Sequence, residues 1–223
     1  MPETPLLYLV RHGQTDSNVA RVYSGWNDDS LNETGRSQVH ALATRLAPEG
    51  VERIFASPVR RAVETAQSLA RRLGATVRTV HDLHEIEIGP WKGLGEEEIA
   101  RLRPDEYRRW RQHPERFHLE GRESLTALQE RALGAVDRIS RSLLVAEDRP
   151  AIVVTHVAVI RALWLAATGR GLAAYHEIGV PHCAPFPVRW LRPGKLEAVG
   201  PPPEPEDAPV PVSGPSAGGI SGA

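Results

Sequence analysis

Two histidines and a set of arginines stand where they could act together on one phosphate-like group. Arg11-His12-Gly13 directly follows the apolar run Leu6–Val10, and His156 directly follows the apolar run Ala151–Thr155. Both runs have strand length, and an open α/β sheet gathers the residues just beyond its strands' carboxyl ends into one crevice. Arg60 and Arg61 follow a third such run, Arg53–Ala56, and open a helix for which Ser57-Pro58 reads as N-cap and first-turn proline. A helix N-terminus presents free N–H groups to an anion, and guanidinium forks match phosphate oxygens two at a time. Phosphoryl transfer there also needs a proton donor for the leaving alkoxide. The loop Leu83–Gly89 offers Glu85 and Glu87.

The elements that must hold these residues follow a βαβ rhythm. Strand-length runs at Leu6–Val10, Arg53–Ala56, Thr76–Val80 and Ala151–Thr155 alternate with helical segments from near Thr34 to Leu46, from Ser57 to near Gly74, from about Ser124 to Val145 and from about Ala158 to Thr168. The pattern predicts a three-layer α/β/α sandwich around a mainly parallel sheet. Residues 93–121, polar and broken by Pro104 and Pro114, suit a short helical excursion beside the mouth of the site. Residues 201–223 hold seven prolines, four glycines and three acids without a basic residue, a composition that buries no core. The reading is therefore one domain over 1–200 and a disordered tail over 201–223.

Composition narrows the function classes. Apolar residues at 41% and charged residues at 25% fit a soluble globular chain. No run approaches the roughly 20 apolar residues of a spanning helix, and the first residues lack the pattern of a signal peptide, which predicts a cytoplasmic protein with no membrane partner. A net charge of −1 supplies no overall field for nucleic acid. The single cysteine, Cys183, cannot form an internal disulfide, and no Cys/His spacing suits zinc. His40, His81, His84, His113, His118, His176 and His182 make no metal-ligand pattern and read as structural or surface residues. No metal and no cofactor are expected.

The segments LVRHGQTDSN, ASPVRRAVETA, LHEIEIGPWKGL and VVTHVAVIRAL, in this order, resemble the four signature segments of the histidine phosphatase (phosphoglycerate-mutase-like) superfamily, over about Leu6 to Val199. The resemblance implies that His12 accepts the phosphoryl group, with Arg11, Arg61 and His156 around it and Glu85 as the acid. Arg60 and Glu87 are the neighbouring alternatives. Asn18 and Thr15 match positions that line the phosphate pocket. It implies a metal-independent phosphomonoester hydrolase acting on a small phosphorylated metabolite through a phosphohistidine, with protonated His156 helping to neutralise the phosphoryl oxygens.

Two departures bear on substrate. Val157 replaces the glycine that usually follows the second histidine, which bulks the pocket wall and resists a positive φ. Arg122 stands where the phosphatase branch carries a glycine in Gly-Gly-Glu-Ser. Between Arg101 and Arg122 lie seven arginines and four acids interleaved with Tyr107, Trp110 and Phe117; this reads as an exposed amphipathic helix with its aromatics facing the core, the other reading being a lid over an anionic or ring-bearing substrate. The rival activities are a phosphoglycerate mutase and a catalytically inactive binding protein on the same fold. Ile86, Glu87 and Ile88 lack the basic and aromatic residues that a mutase carries after the acid, and the complete set His12, Arg11, Arg61, Glu85 and His156 argues against an inactive protein.

Overall fold

A computed structural model describes residues 4–144 and 149–204. Within them β1 (Leu6–Arg11), β2 (Arg53–Ala56), β3 (Thr76–Thr79), β4 (Ala151–Thr155), β5 (Pro185–Arg192) and β6 (Lys195–Ala198) form one sheet in the order β3-β2-β4-β1-β5-β6. The first four strands are mutually parallel, and β5 and β6 continue the sheet antiparallel. This is the mainly parallel sheet expected from the sequence. Every residue of β4 is buried, as the β-branched run Ile152-Val153-Val154-Thr155 requires between two neighbours.

Alternate residues feed two cores. Ala151 and Val153 pack on the face covered by α6 (Leu125–Leu143) and α7 (Val157–Ala167), while Ile152 and Val154 pack on the face covered by α2 (Glu33–Leu46) and α3 (Arg60–Leu73). These are the outer layers of the sandwich. In α6 the buried residues Leu125, Leu128, Ala132, Ala135, Val136, Ile139 and Leu143 recur at helical spacing. Ser124 caps that helix through Ala127 N, and Asn32 caps α2 through Gly35 N. The short α1 (Asp16–Val19) leads out of the site, and α4 (Glu96–Leu102) and α5 (Pro104–Gln112) form the expected excursion.

Two readings of the sequence change. Ser57 does not cap α3: the N-cap is Val59, with no side-chain hydrogen bond, and Ser57 is drawn into the site instead. The hairpin β5–β6 was not expected, because Pro185 and Pro187 argue against a strand inside a sheet. They are tolerated because the β6 ladder runs only along Val188–Arg192; just beyond it Pro187 contributes only its carbonyl, which accepts from Val199 N at 2.9 Å. The signal was the two-residue Pro193-Gly194 connection, with Gly194 at φ 70°. Of the proposed tail, residues 201–204 are exposed or half-buried coil, and residues 205–223 lie outside the described residues. No helix among the described residues is long and apolar enough to cross a membrane.

Candidate active site

The turn leaving β1 remains tied to β4. His12 N donates to Thr155 O at 3.0 Å, and His156 is the next residue along, so the two imidazoles meet with ring centroids 5.3 Å apart. The start of α2 closes over this turn through two glycines. A Cβ on Gly13 would sit 2.7 Å from Gly35 O, and one on Gly35 would sit 2.2 Å from Gln14 O, so neither position has room for a side chain. Gly13 N donates to Thr65 Oγ1 of α3 at 3.0 Å.

Hydrogen-bond partners fix the protonation of both histidines. His12 Nδ1 lies 2.8 Å from Gly13 O, which can only accept, while Arg61 Nε, which can only donate, lies 3.0 Å from His12 Nε2. His12 is therefore a neutral imidazole with its lone pair on Nε2. Burial drives its pKa well below the ordinary value, any charge on His156 would lower it further, and the positive fields of Arg61 and Arg11 add to the effect. His182 Nδ1 donates to His12 O at 2.8 Å, and burial followed by Arg11 lowers its pKa to about 4.

Before a phosphoryl group binds, the same features favour a neutral His156. Burial, then Arg61 and Arg11, hold its pKa well below the usual range. Its Nδ1 lies 3.3 Å from Arg61 Nη2 and must accept, so Nε2 carries the hydrogen, which it donates to Ser57 Oγ at 2.7 Å. Val157 imposes no backbone strain, because it is the first residue of α7 and has no positive φ.

Arg61 is 1% exposed and is gripped on every side. Besides the two histidines, Gly25 O accepts from Nη2 at 2.8 Å and Asn27 Oδ1 accepts from Nη1 at 3.2 Å. Arg60 turns outward to ion-pair with Asp28 at 3.2 Å and Glu64 at 2.8 Å. Arg11 reaches back to donate from Nη1 to Val180 O at 2.8 Å. The first turn of α3 thus delivers one of its two arginines to the crevice, and that one is Arg61.

Glu85 enters the same crevice and Glu87 does not. Glu85 is 8% exposed and accepts from Ile86 N at 2.9 Å, whereas Glu87 faces solvent. Burial raises the Glu85 pKa against the opposing pull of Arg61. The loop that carries it is pinned by Trp26 Nε1 donating to Glu85 O at 3.1 Å, and by Arg131, whose Nη1 donates to Asp82 O at 2.8 Å and His84 O at 2.9 Å. Arg131 is itself paired with Glu123 at 2.7 Å, both side chains being largely buried.

A cavity of about 280 Å³ opens here, bordered by Arg11, His12, Asn18, Arg61 and Glu85. Thr15 does not border it: it is fully buried and caps α1, exchanging hydrogen bonds with Asn18 at 3.0 and 3.4 Å. Asn18 is thus the pocket residue and Thr15 its support. His156 also lies behind the cavity wall, touching Arg61. The excursion contributes Glu96, Trp110 and Arg111 to the cavity, while Trp110 and Phe117 are buried in the core. The aromatics of that segment pack inward, and Glu96, Trp110 and Arg111 also border the cavity.

Ser57, Arg131, Trp26, Asn27, the Gly25 carbonyl and His182 were missed as site residues by sequence reasoning. Most act through one hydrogen bond across a large sequence distance, for which a lone sequence carries no signal. Glu123 lies in the noted Gly-Arg-Glu-Ser segment, and the Arg131 partner it finds on α6 is two turns away. Among the described residues no group of three or more His, Cys, Asp or Glu side chains could hold a metal ion.

Comparison with known proteins places this arrangement in context. The profile of the histidine phosphatase superfamily (branch 1) matches residues 7–195. The chain is 30% identical over 173 residues to phosphoserine phosphatase 1 of Hydrogenobacter thermophilus, covering 78% of this chain and 81% of that one. It is 32% identical over 214 residues to glucosyl-3-phosphoglycerate phosphatase of Mycobacterium tuberculosis, covering 82% of this chain and 91% of that one. A solved structure of the mycobacterial glucosyl-3-phosphoglycerate phosphatase with VO3 superposes with a TM-score of 0.80 at 28% identity, over 90% of this chain and 100% of that one.

Proposed function

Because the chain belongs to the histidine phosphatase superfamily, branch 1, we propose that it hydrolyses a phosphomonoester of a small metabolite through a phosphohistidine on His12. The observation that carries this reading is the opposed pairing of His12, with Nδ1–H given to Gly13 O and Nε2 facing the Arg61 guanidinium. That pairing leaves one lone pair, on Nε2, turned toward the cation that would also hold the phosphoryl oxygens.

Substrate binding transfers the Arg61 donor from His12 to a phosphoryl oxygen and frees Nε2 to attack phosphorus in line. Arg11 and Arg61 balance the equatorial charge, aided by Asn18 and the N-terminus of α7. The P–O bond to the leaving group breaks as Glu85, whose acid form burial favours, gives its proton to the departing oxygen. Water then attacks the phosphohistidine and loses a proton to Glu85; the P–N bond breaks, and phosphate leaves with His12 neutral again. His156, neutral before substrate enters, orients Arg61 and gains proton affinity once the phosphoryl dianion arrives. The arginines supply the charge neutralisation that a metal ion provides in other phosphoryl-transfer sites, so activity in excess EDTA is expected to match activity without it.

Two relatives, phosphoserine phosphatase 1 and glucosyl-3-phosphoglycerate phosphatase, are named as phosphatases of small phosphorylated compounds, which supports hydrolysis, while a third carries the name phosphoglycerate mutase-like protein 4. The test is rapid quench with a labelled phosphomonoester. An acid-labile, alkali-stable phosphoenzyme is expected in the native protein and absent from His12→Ala, and a labelled intermediate persisting in that variant would mean a different nucleophile.

A further inference from the structure

The cavity has a second basic wall, built from other elements than those around His12. Arg122 and Arg161 both border it, with Tyr175 and Trp110. Arg122 is 8% exposed, and its guanidinium lies 4.0 Å over the Trp110 ring, with Phe117 at 5.3 Å and Trp91 at 5.5 Å. Its Nε has no hydrogen-bond partner among the described residues, and its bond from Nη1 to Glu123 O is long at 3.4 Å. Arg161 donates from Nε to Ile178 O at 2.8 Å and packs 5.1 Å from the Tyr175 ring.

Among the described residues neither guanidinium is ion-paired. Arg111, which borders the same cavity, is paired with Glu96 at 3.3 Å. A buried guanidinium has five donors to satisfy and stays charged; cation–π contact with three rings offsets part of that cost, and among the described residues no carboxylate is in ion-pair contact with Arg122. Packing alone does not call for arginine, since an apolar side chain would fill the same aromatic cage without that cost. The backbone also holds Arg122 in place. Gly121 takes φ 76°, Ile88 bridges to Arg122, and a Cβ on Gly89 would lie 2.7 Å from the Gly121 carbonyl carbon. Arg122 is thereby locked to the loop that carries Glu85. The guanidinium is held against Trp110, and its donors are left poorly satisfied within the protein.

Building on the phosphatase reading above, we infer that Arg122 and Arg161 form a second anion site, so that the preferred substrates are phosphomonoesters carrying another anionic group, a carboxylate or a second phosphate. One end of such a molecule binds at Arg11, His12 and Arg61, and the other end supplies the counter-charge that the second wall lacks.

The test compares kcat/KM within matched pairs. Phosphoserine and phosphoethanolamine differ only by a carboxylate, and a sugar bisphosphate and its monophosphate differ only by a second phosphate. In at least one pair the more anionic member is expected to be favoured by about tenfold or more. Arg122→Gln and Arg161→Gln should each bring that ratio to within about twofold of unity, mainly through KM. The pair that responds identifies the anion. If Arg122→Gln does not fold, Arg161→Gln carries the same comparison. No preference in either pair, or a preference that survives both substitutions, overturns the second site while leaving the phosphatase reading intact. No hydrolysis of any of these esters or of p-nitrophenyl phosphate overturns both.

Discussion

Ser57 Oγ lies 2.7 Å from His156 Nε2 and receives its hydrogen, because the other ring nitrogen must accept from Arg61. A serine that the sequence offers as a helix cap instead accepts the hydrogen of the His156 tautomer that Arg61 selects. Ser57→Ala leaves a fully buried N–H without its acceptor, at a cost of about 1–3 kcal/mol. Urea unfolding should show that loss, with a fall in kcat as Arg61 loses its fixed neighbour. Unchanged stability together with unchanged kcat would show that the contact has no such part.

Glu85 is assigned the proton transfer, and its value depends on how badly the leaving group needs a proton. Glu85→Gln should slow phosphohistidine formation from an aliphatic phosphate by about 10²–10⁴-fold, and from p-nitrophenyl phosphate far less. Single-turnover measurement is required, because loss of the same residue also slows attack by water. Its acid form is the competent one and its pKa is raised, so phosphorylation should fall as pH rises through that elevated pKa, and this alkaline limb should vanish in the Gln variant. Equal losses for both leaving groups would move the role elsewhere.

The Glu123–Arg131 pair, at 2.7 Å and largely buried, clamps three carbonyls of the loop bearing Glu85. Removing one partner strands the other charge, so Arg131→Met should destabilise the fold by about 3–5 kcal/mol. The double variant Glu123→Leu with Arg131→Met should recover part of the stability, as seen in thermal and urea melts, but not the leaving-group dependence that Glu85 confers. A double variant no more stable than the single one would mean that the carbonyl bonds, and not the charge pair, dominate.

Acid should weaken the fold. The pKa values of His12 and His156 lie well below their unfolded values, and that of His182 falls to about 4. Below about pH 6.5 the unfolded chain takes up protons that the folded chain refuses, so the contribution of these histidines is present above that pH and lost as pH falls. Glu85 works in the opposite sense, its contribution being lost as pH rises, but it is one group against five, since burial lowers His84 and His176 as well. A drop in melting temperature of roughly 5–10 °C from pH 7 to pH 5 is expected. His182→Asn, which still offers a donor to His12 O, should make the slope shallower. A flat profile would contradict the shifts.

What the sequence made legible was whatever depends on chain order. Strand ends place His12 and His156, and a helix start places Arg61, because periodicity and topology dictate where those residues emerge. Which of two neighbours turns inward was beyond composition and spacing: Arg61 over Arg60 and Glu85 over Glu87 came from the family resemblance. The β5–β6 hairpin was hidden by two prolines whose tolerance depends on how far β6 extends along β5. Ser57, Asn27 and Arg131 were illegible because each acts through contacts made only after the layers close.

β1, which carries His12, lies between β4 and β5 in the sheet, so the first strand of this domain in chain order is flanked only by strands that follow it by more than 130 residues. It has no permanent partner until most of the protein has emerged. The pocket therefore cannot close before β4 and β5 are in place on either side of β1. A nascent chain stalled before Pro185 would have β4 available but lack the neighbour on the other side of β1. Competence to bind phosphate thus becomes a report on whether the whole topology has closed.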